Sequence, residues 1–439
     1  MSFVANTELY GNANLQDIYA KYIAVVLRGL PNIFTGIKAL GQEGRPTGYQ
    51  PGGRRWVFGV DFGRGGSAGF SNSGSLSHIG TEREEIEDVA VSYSWLYFRA
   101  VADGREIDQR SKAPNAQFLD RVGRRIEAAT RAGADIRENM HLQTVADGRL
   151  LTVAATGSEI AAAASGTVTV SRREHAVREV KLRVYRTNAF IADVVLAILT
   201  EPPNTGGQGT ISVKNVGGTA YTPTASDVLY VDYGADHCYF ASLDESVGIA
   251  AYPPRGQNVI TLDREEWRSL VLDAGSTQLN IGMIDSLFQK MAFRIPNDKA
   301  QALWSAYSGR FEYPNQFLCN PTHITALIQS LRGQTQYNGP LGAVDPTWGM
   351  VSTIMGHRFI VSPKTSPTTL YFLHAPGWAF SDEEPTPVTQ EGSGWQHIPS
   401  SDNFEWMARQ CCGFYVAERQ LQAKIENVLG TDHLAEFGV

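Results

Sequence analysis

The chain of 439 residues has only four cysteines, and no two of them form a C-x-x-C pair. Cys411 and Cys412 are adjacent, which suits neither a structural zinc site nor a disulfide framework. Their surroundings, "RQCCGFYVAE", read as a strand, so these thiols are expected to be buried and reduced. No H-E-x-x-H occurs among the nine histidines. His237 stands beside Cys238, but one pair does not make a metal site. His323 falls in the first turn of an expected helix and is read as a surface or interface residue. Long apolar runs are missing as well. The most apolar helical-looking stretch, "AFIADVVLAIL" (189–199), contains Asp193 and is too short to span a bilayer. The opening "MSFVANTELYGNANLQ" has no basic segment followed by an apolar one, so no secretory signal is visible. Basic charge is not in excess: 38 Lys and Arg stand against 45 Asp and Glu, a net charge of −7. That balance argues against wrapping nucleic acid by bulk charge and leaves a local basic face open. No repeat of 20–50 residues is evident. The expectation from these absences is a soluble cytoplasmic product with no metal, no cofactor and no membrane contact.

One stretch that is present invites a catalytic reading. "GRGGSAG" (63–69) fits a dinucleotide fingerprint through Gly63, Gly65 and Ala68, and a serine-hydrolase elbow through Gly65, Ser67 and Gly69. Both motifs need a strand before and a helix after. "WVFGVDF" (56–62) supplies the strand pattern. The following "FSNSGSLSHIG" (70–80) has no 3.6-residue apolar period, so no helix N-terminus is there to hold a pyrophosphate or to strain Ser67. A long loop between two β segments is the reading favoured, with a hydrolase using Ser67 kept as the alternative from another class.

Along the chain, residues 1–55 look like an arm with one short apolar segment, "IYAKYIAVVLRGL" (18–30). Residues 56–100 read as two β arms around the Gly/Ser tip, with alternation at Val89, Val91, Tyr93, Trp95 and Tyr97 in the return arm. Such a two-stranded element is marginal alone in water. The clearest helix spans 114–141, with Pro114 in its first turn. Phe118, Val122, Ile126, Ala129, Gly133, Ile136 and Met140 form its apolar stripe. Arg121, Arg124, Arg125, Arg131 and Arg137 lie off that stripe, and Asp120–Arg124 and Glu127–Arg131 are spaced as helical ion pairs. Residues 150–170 read as small-residue linker and strand, and "SRRE" (171–174) offers a capping box of Ser171 with Glu174. "VREVKLRVYRTNA" fits either a helix or an alternating strand. Residues 201–231 read as β. Helices follow at 283–291 and 320–333, the second with Asn320 as N-cap and Pro321 at its first position. "GHRFIVSP", "LYFLHAPGWAF" and "CCGFYVAERQLQAKIENV" read as strands separated by turns.

This order of parts resembles one family, the tailed-bacteriophage major capsid proteins, whose fold (Hong Kong 97-like) is shared with encapsulin shells. The resemblance covers nearly the whole chain. "NVITLDREEWRSLVLDAGSTQLNIGMIDSLFQKM" (258–291) looks like the family's Arg, Trp and Ile-Asp helix, and "FLCNPTHITALIQSL" (317–331) like its buried strand, Asn-Pro and helix. "MGHRFIVSPKTSPTTLYFLHAPGWAF" (355–380) looks like the strands that follow, and "LQAKIENV" (421–428) like the closing strand.

The resemblance implies an α+β fold: an N-terminal arm (1–55), an extended β loop (56–100) and a peripheral domain (101–186) carrying the spine helix 114–141. A mixed α/β axial domain (187–400) follows, then a return strand and tail (401–439). It implies a structural protein without enzyme activity that self-assembles as hexamers and pentamers around double-stranded phage DNA, read without sequence specificity. A separate scaffolding protein, a portal protein and a possible decoration protein would be its partners. The location would be the virion, with assembly in the host cytoplasm. An encapsulin-like compartment is the alternative within the same architecture. The extended loop would lie over an adjacent subunit, with contacts from Trp56, Phe62, Arg64, Phe70, Glu82, Glu84, Glu85 and Trp95, and from Arg124 and Arg131 of the spine. Some members cross-link this loop through lysine. No lysine occurs here between Lys38 and Lys112, so that chemistry is not expected.

Overall fold

The computed structural model describes residues 55–61, 86–92, 94–103, 115–143, 148–199, 208–231, 242–249, 268–294, 315–332, 353–354, 357–374, 378–380, 386–387, 395–397, 403–412, 414–416 and 419–429. Strand β1 (Arg55–Asp61) pairs antiparallel with β2 (Ile86–Ser92), and this ribbon joins no other sheet among the described residues. The return arm is not one strand, as the sequence led us to expect. It ends at Ser92, and β3 (Ser94–Asp103) belongs to another sheet. The reason is alternation: Leu96, Phe98 and Ala100 are buried on one face of β3, and they share an apolar cluster with Ile136 and Met140 of helix α1 (Asn115–His141). The spine stripe is thus core through its C-terminal half; Phe118, Val122 and Ile126 have side chains outside the described set. Gly133 permits the close approach of strand to helix. A Cβ there would sit 2.4 Å from the buried Phe98 ring, so the ring or the backbone would have to shift. Gly133→Val is expected to cost about 1–3 kcal/mol through overpacking. The urea midpoint reads this, and an unchanged midpoint would mean that the Phe98 ring swings aside freely.

Residues 148–231 make a separate unit. Six strands, β4 (Arg149–Thr152), β5 (Ser165–Val170), β6 (Lys181–Arg186), β7 (Ala189–Leu199), β8 (Gly209–Asn215) and β9 (Val228–Val231), pair in the order β4-β9-β6-β7-β8-β5. The ring then closes: Val153 bridges Val170, with Ser171 N–H donating to Thr152 O and Ala154 N–H to Thr169 O, both at 2.8 Å. The result is a small antiparallel barrel without a free edge. Leu150, Val168, Leu182, Val194, Ile211 and Leu229 are among the side chains that fill it. Two expectations are corrected here. "AFIADVVLAIL" is the strand β7, because every second residue from Ala192 to Leu196 enters the barrel while Asp193 stays outside to pair with Lys181. The open stretch before it resolves as strand β6, and Thr187 and Asn188 turn the chain with positive φ values of 48° and 66°. The boundary expected between residues 186 and 187 falls at that turn, so strand pairing crosses it. The capping box is not formed either. Residues Arg173–His175 make a single 3-10 turn without a side-chain cap, and Glu174 pairs with Arg172 instead of reaching back to Ser171.

Most of the remaining elements form a third core. Helix α2 (Leu243–Ser246) precedes β10 (Leu270–Thr277), α3 (Ile281–Arg294), β11 (Asn315–Cys319) and α4 (Pro321–Arg332). Then come β12 (Thr353–Ile354), β13 (His357–Val361) and β14 (Leu370–His374). Short strands β15 (Trp378–Phe380), β16 (Thr386–Pro387) and β17 (Trp395–His397) lead to β18 (Asn403–Cys412), β19 (Phe414–Val416) and β20 (Ala423–Val428). A mixed six-stranded sheet runs β10-β20-β14-β11-β13-β12, and α3 and α4 share its apolar cluster. Asn320 caps α4 as expected, its Oδ1 accepting from Thr322 N–H at 3.2 Å. His323 is not at the surface. It is 1% exposed, and its Nε2–H donates to Pro367 O at 2.8 Å, because the first turn of α4 lies under the 362–369 loop. Burial pushes the His323 imidazole down to about 4, against the pull of that carbonyl, so the ring is neutral near neutral pH. Strand β18 returns to pair with β3 along ten residues, from Asn403 opposite Asp103 to Cys412 opposite Ser94.

Candidate assembly surface

The residues expected to meet other subunits that lie in the described part are placed on three elements. Trp56 lies on β1 opposite Val91, and Trp95 on β3 opposite Cys411. The structure therefore separates them, putting one in the ribbon and the other in the β3–β18 sheet. Arg124 and Arg131 lie on α1. Phe62, Arg64, Phe70, Glu82, Glu84 and Glu85 lie outside the described residues, as do Ser67, His237 and Cys238. Two further acidic positions of the ribbon are placed: Glu87 opposite Val60 and Asp88 opposite Gly59.

The outer face of β3–β18 is built by the same alternation that buries its inner face. Tyr97 is 53% exposed and Val101 38%, while Phe98 between them is buried. Arg99 forms an ion pair with Glu405 across the strands at 2.7 Å. On the helix flank, Arg125 donates to Val101 O at 2.8 Å, and exposed Arg131 pairs with Glu127 one turn earlier. These arginines are thus partly committed within the subunit. Exposed ion pairs of this kind contribute little stability in water, so they can exchange partners at low cost. Tyr97 was legible in the alternation of the return arm. Val101 and the Arg99–Glu405 pair were not, since their partners come from a strand some three hundred residues on.

Among the described residues, no cluster of three or more His, Cys, Asp or Glu is placed to hold a metal ion. None of the described helices is long and apolar enough to cross a membrane. A forked ion pair lies on the barrel, where Arg186 donates to both oxygens of the buried Asp227 carboxylate at 2.7 and 2.9 Å and Tyr221 donates to the same carboxylate. Burial pushes the Asp227 carboxyl up. The Arg186 fork and the Thr224 N–H outweigh burial and hold it below its ordinary value. Every partner is on the barrel's own strands or the loop between them, so this site is a staple of the barrel.

No family model matches the sequence, and no curated protein does. Solved chains similar to this one in fold include capsid proteins and an encapsulin. A cyanophage A-1(L) capsid chain is 11% identical over 90% of this chain and 92% of its own, with a TM-score of 0.47. An encapsulin of Synechococcus elongatus is 10% identical over 89% of this chain and 85% of its own, at 0.39. The mature capsid of bacteriophage PhiM1 is 8% identical over 86% and 83%, at 0.38. At these TM-scores the overall superposition is loose.

Proposed function

We propose that this chain is a shell-forming subunit, a major capsid protein of the tailed-phage kind. The observation that carries the reading is the β1–β2 ribbon. A two-stranded ribbon is marginal in water, and this one pairs with no other strand of its chain among the described residues. A neighbouring copy is the natural support. Repeated head-to-tail contacts of that kind close into shells under point symmetry, which an isologous dimer does not need. The sequence resemblance of the ribbon, spine helix and later strands supports the same reading.

On this proposal the copies assemble as hexamers and pentamers into an icosahedral virion shell in the host cytoplasm. A separate scaffolding protein, a portal and decorating proteins cooperate, and the shell encloses double-stranded DNA without reading its sequence. Trp56, Phe62, Arg64, Phe70, Glu82, Glu84, Glu85 and Trp95 would contribute to contacts between copies, with Arg124 and Arg131 receiving the acidic run. The role is structural, with no catalytic step.

Electron microscopy of the purified chain tests the reading, with closed particles expected. Particles holding DNA favour the viral shell; particles holding an enzyme cargo favour the encapsulin-like compartment. A variant in which residues 62–85 become a short Gly-Ser turn should keep the thermal transition of the subunit and fail to close shells. Normal shells from that variant would show that the ribbon is no assembly element.

A further inference from the structure

Three units meet at the C-terminal end of α1, and the mixed-sheet unit meets the other two through polar groups. The barrel leans on the spine through Val180 and Val231, but the cluster beneath the six-stranded mixed sheet is separate from both other cores. One loop residue ties that sheet to the others at both ends. The Lys364 ammonium donates to Asp135 at 2.8 Å and to Glu138 at 2.7 Å on the spine. The Lys364 carbonyl accepts from Arg172 at 2.6 Å and from His175 Nε2–H at 2.9 Å on the barrel's 3-10 turn. His175 is fully buried, and its Nδ1 accepts from Gln143 Nε2–H at 2.5 Å. Gln143 also takes the hydroxyl of Ser242, the N-cap of α2, on its carbonyl oxygen.

We propose that this polar joint is a releasable catch between the mixed-sheet unit and the spine–barrel unit, with Lys364 as its pin and His175 as the group through which acid opens it. Interfaces between domains that move are polar, because separated faces are then resolvated without a large apolar cost. This one also leaves Asn139 Oδ1, Glu174 Oε2 and Thr365 Oγ1 buried and unpartnered. Water reaching an opened joint would satisfy all three.

Protonation of His175 would put a second N–H against the Gln143 amide donor and a positive charge beside two cations. Burial, then Arg172 and Lys364, hold its imidazole well below the ordinary value, although the Lys364 carbonyl works the other way. Burial likewise opposes the Lys364 charge, but Glu138 and Asp135 outweigh it and keep it above its ordinary value. The charged and titratable groups on the packed elements are Arg172, Arg173 and Glu174 on the turn itself. The spine brings Asp135, Glu138 and His141, the loop brings Lys364, α4 brings His323 beneath that loop, and β4 brings Arg149. The sign is therefore fixed. The folded ring binds its proton later than the unfolded one, so the joint is fully made above about pH 6.5 and loses stability as pH falls below it.

Hydrogen–deuterium exchange on the full chain at about pH 7 and about pH 4, corrected for intrinsic rates, reads the catch without requiring assembly. In the unaltered chain, residues 172–176 and 362–366 should exchange at least about tenfold faster at the lower pH, while β11 and β14 stay protected. His175→Gln keeps one acceptor and one donor but takes up no proton, and it should remove that acceleration. Lys364→Met keeps the stem without the charge and should open the joint already at the higher pH. Equal acid opening in His175→Gln overturns the proposal. So does a joint in Lys364→Met as protected as the original, or opening that occurs only together with loss of protection in β11 and β14.

Discussion

Replacing Arg419 by Met is expected to destabilise the mixed-sheet unit by about 3–5 kcal/mol, because several carbonyls lose a charged donor at once. Among the described residues, Arg419 is the largest side chain with no exposed surface. It reaches back across the chain to the end of α2 and donates to Ser246 O at 2.9 Å, Gly248 O at 2.8 Å and Glu245 O at 3.2 Å. Its own carbonyl accepts from Ser269 Oγ–H at 2.9 Å, where β10 begins. Met fills much of the volume but leaves three carbonyls without those donors, each costing about 1–3 kcal/mol when buried. Arg419→Lys should recover only part of the loss, because one ammonium cannot span the three oxygens as the planar guanidinium does. Equilibrium urea unfolding followed at this unit's transition measures both. A loss below about 1 kcal/mol for the Met variant would show that the carbonyls find other donors.

A comparable loss, about 3–5 kcal/mol, is expected for Phe317→Ala. Phe317 stands at the centre of an aromatic group: it stacks on Phe359 at 4.8 Å between centroids and lies 5.2 Å from Phe372 and 5.9 Å from Phe288. Three secondary-structure elements besides its own are therefore held by one ring, and the cavity left by Ala would open against all of them. The contrasting change is Phe190→Ala on the barrel exterior. Phe190 is 54% exposed, with Tyr185 and Arg183 against its ring, so the effect should stay within about 0.5 kcal/mol. Similar losses at both positions, in the same unfolding experiment, would mean that burial does not decide the outcome.

Much of the helical framework was legible because its signals are local. The spine helix follows from the spacing of Gly133, Ile136 and Met140, and α4 from Asn320 and Pro321 at its start. Strand β7 was misread because a short apolar run has no period that separates a buried strand from a helix. The barrel was invisible as a barrel, since closure depends on Val153 meeting Val170, a pairing with no sequence signature. The polar joint was invisible for a related reason. His175 bonds to Gln143, 32 residues before it, and to Lys364, 189 residues after it. Of the expected contact residues, only the backbone positions of Trp56, Trp95, Arg124 and the exposed side chain of Arg131 lie within the described part.

The barrel's first and last strands are partners: Arg149 opens β4 opposite Tyr230, near the end of β9. The chain thus enters and leaves at the same end of one antiparallel pair. Tension applied between the flanking segments would therefore load the β4–β9 hydrogen bonds one after another, as a zipper opens, instead of all together in shear. The β3–β18 pair shares this geometry, since the chain enters at Ser94 opposite Cys412, where it leaves, so both pairings would yield to a pull bond by bond.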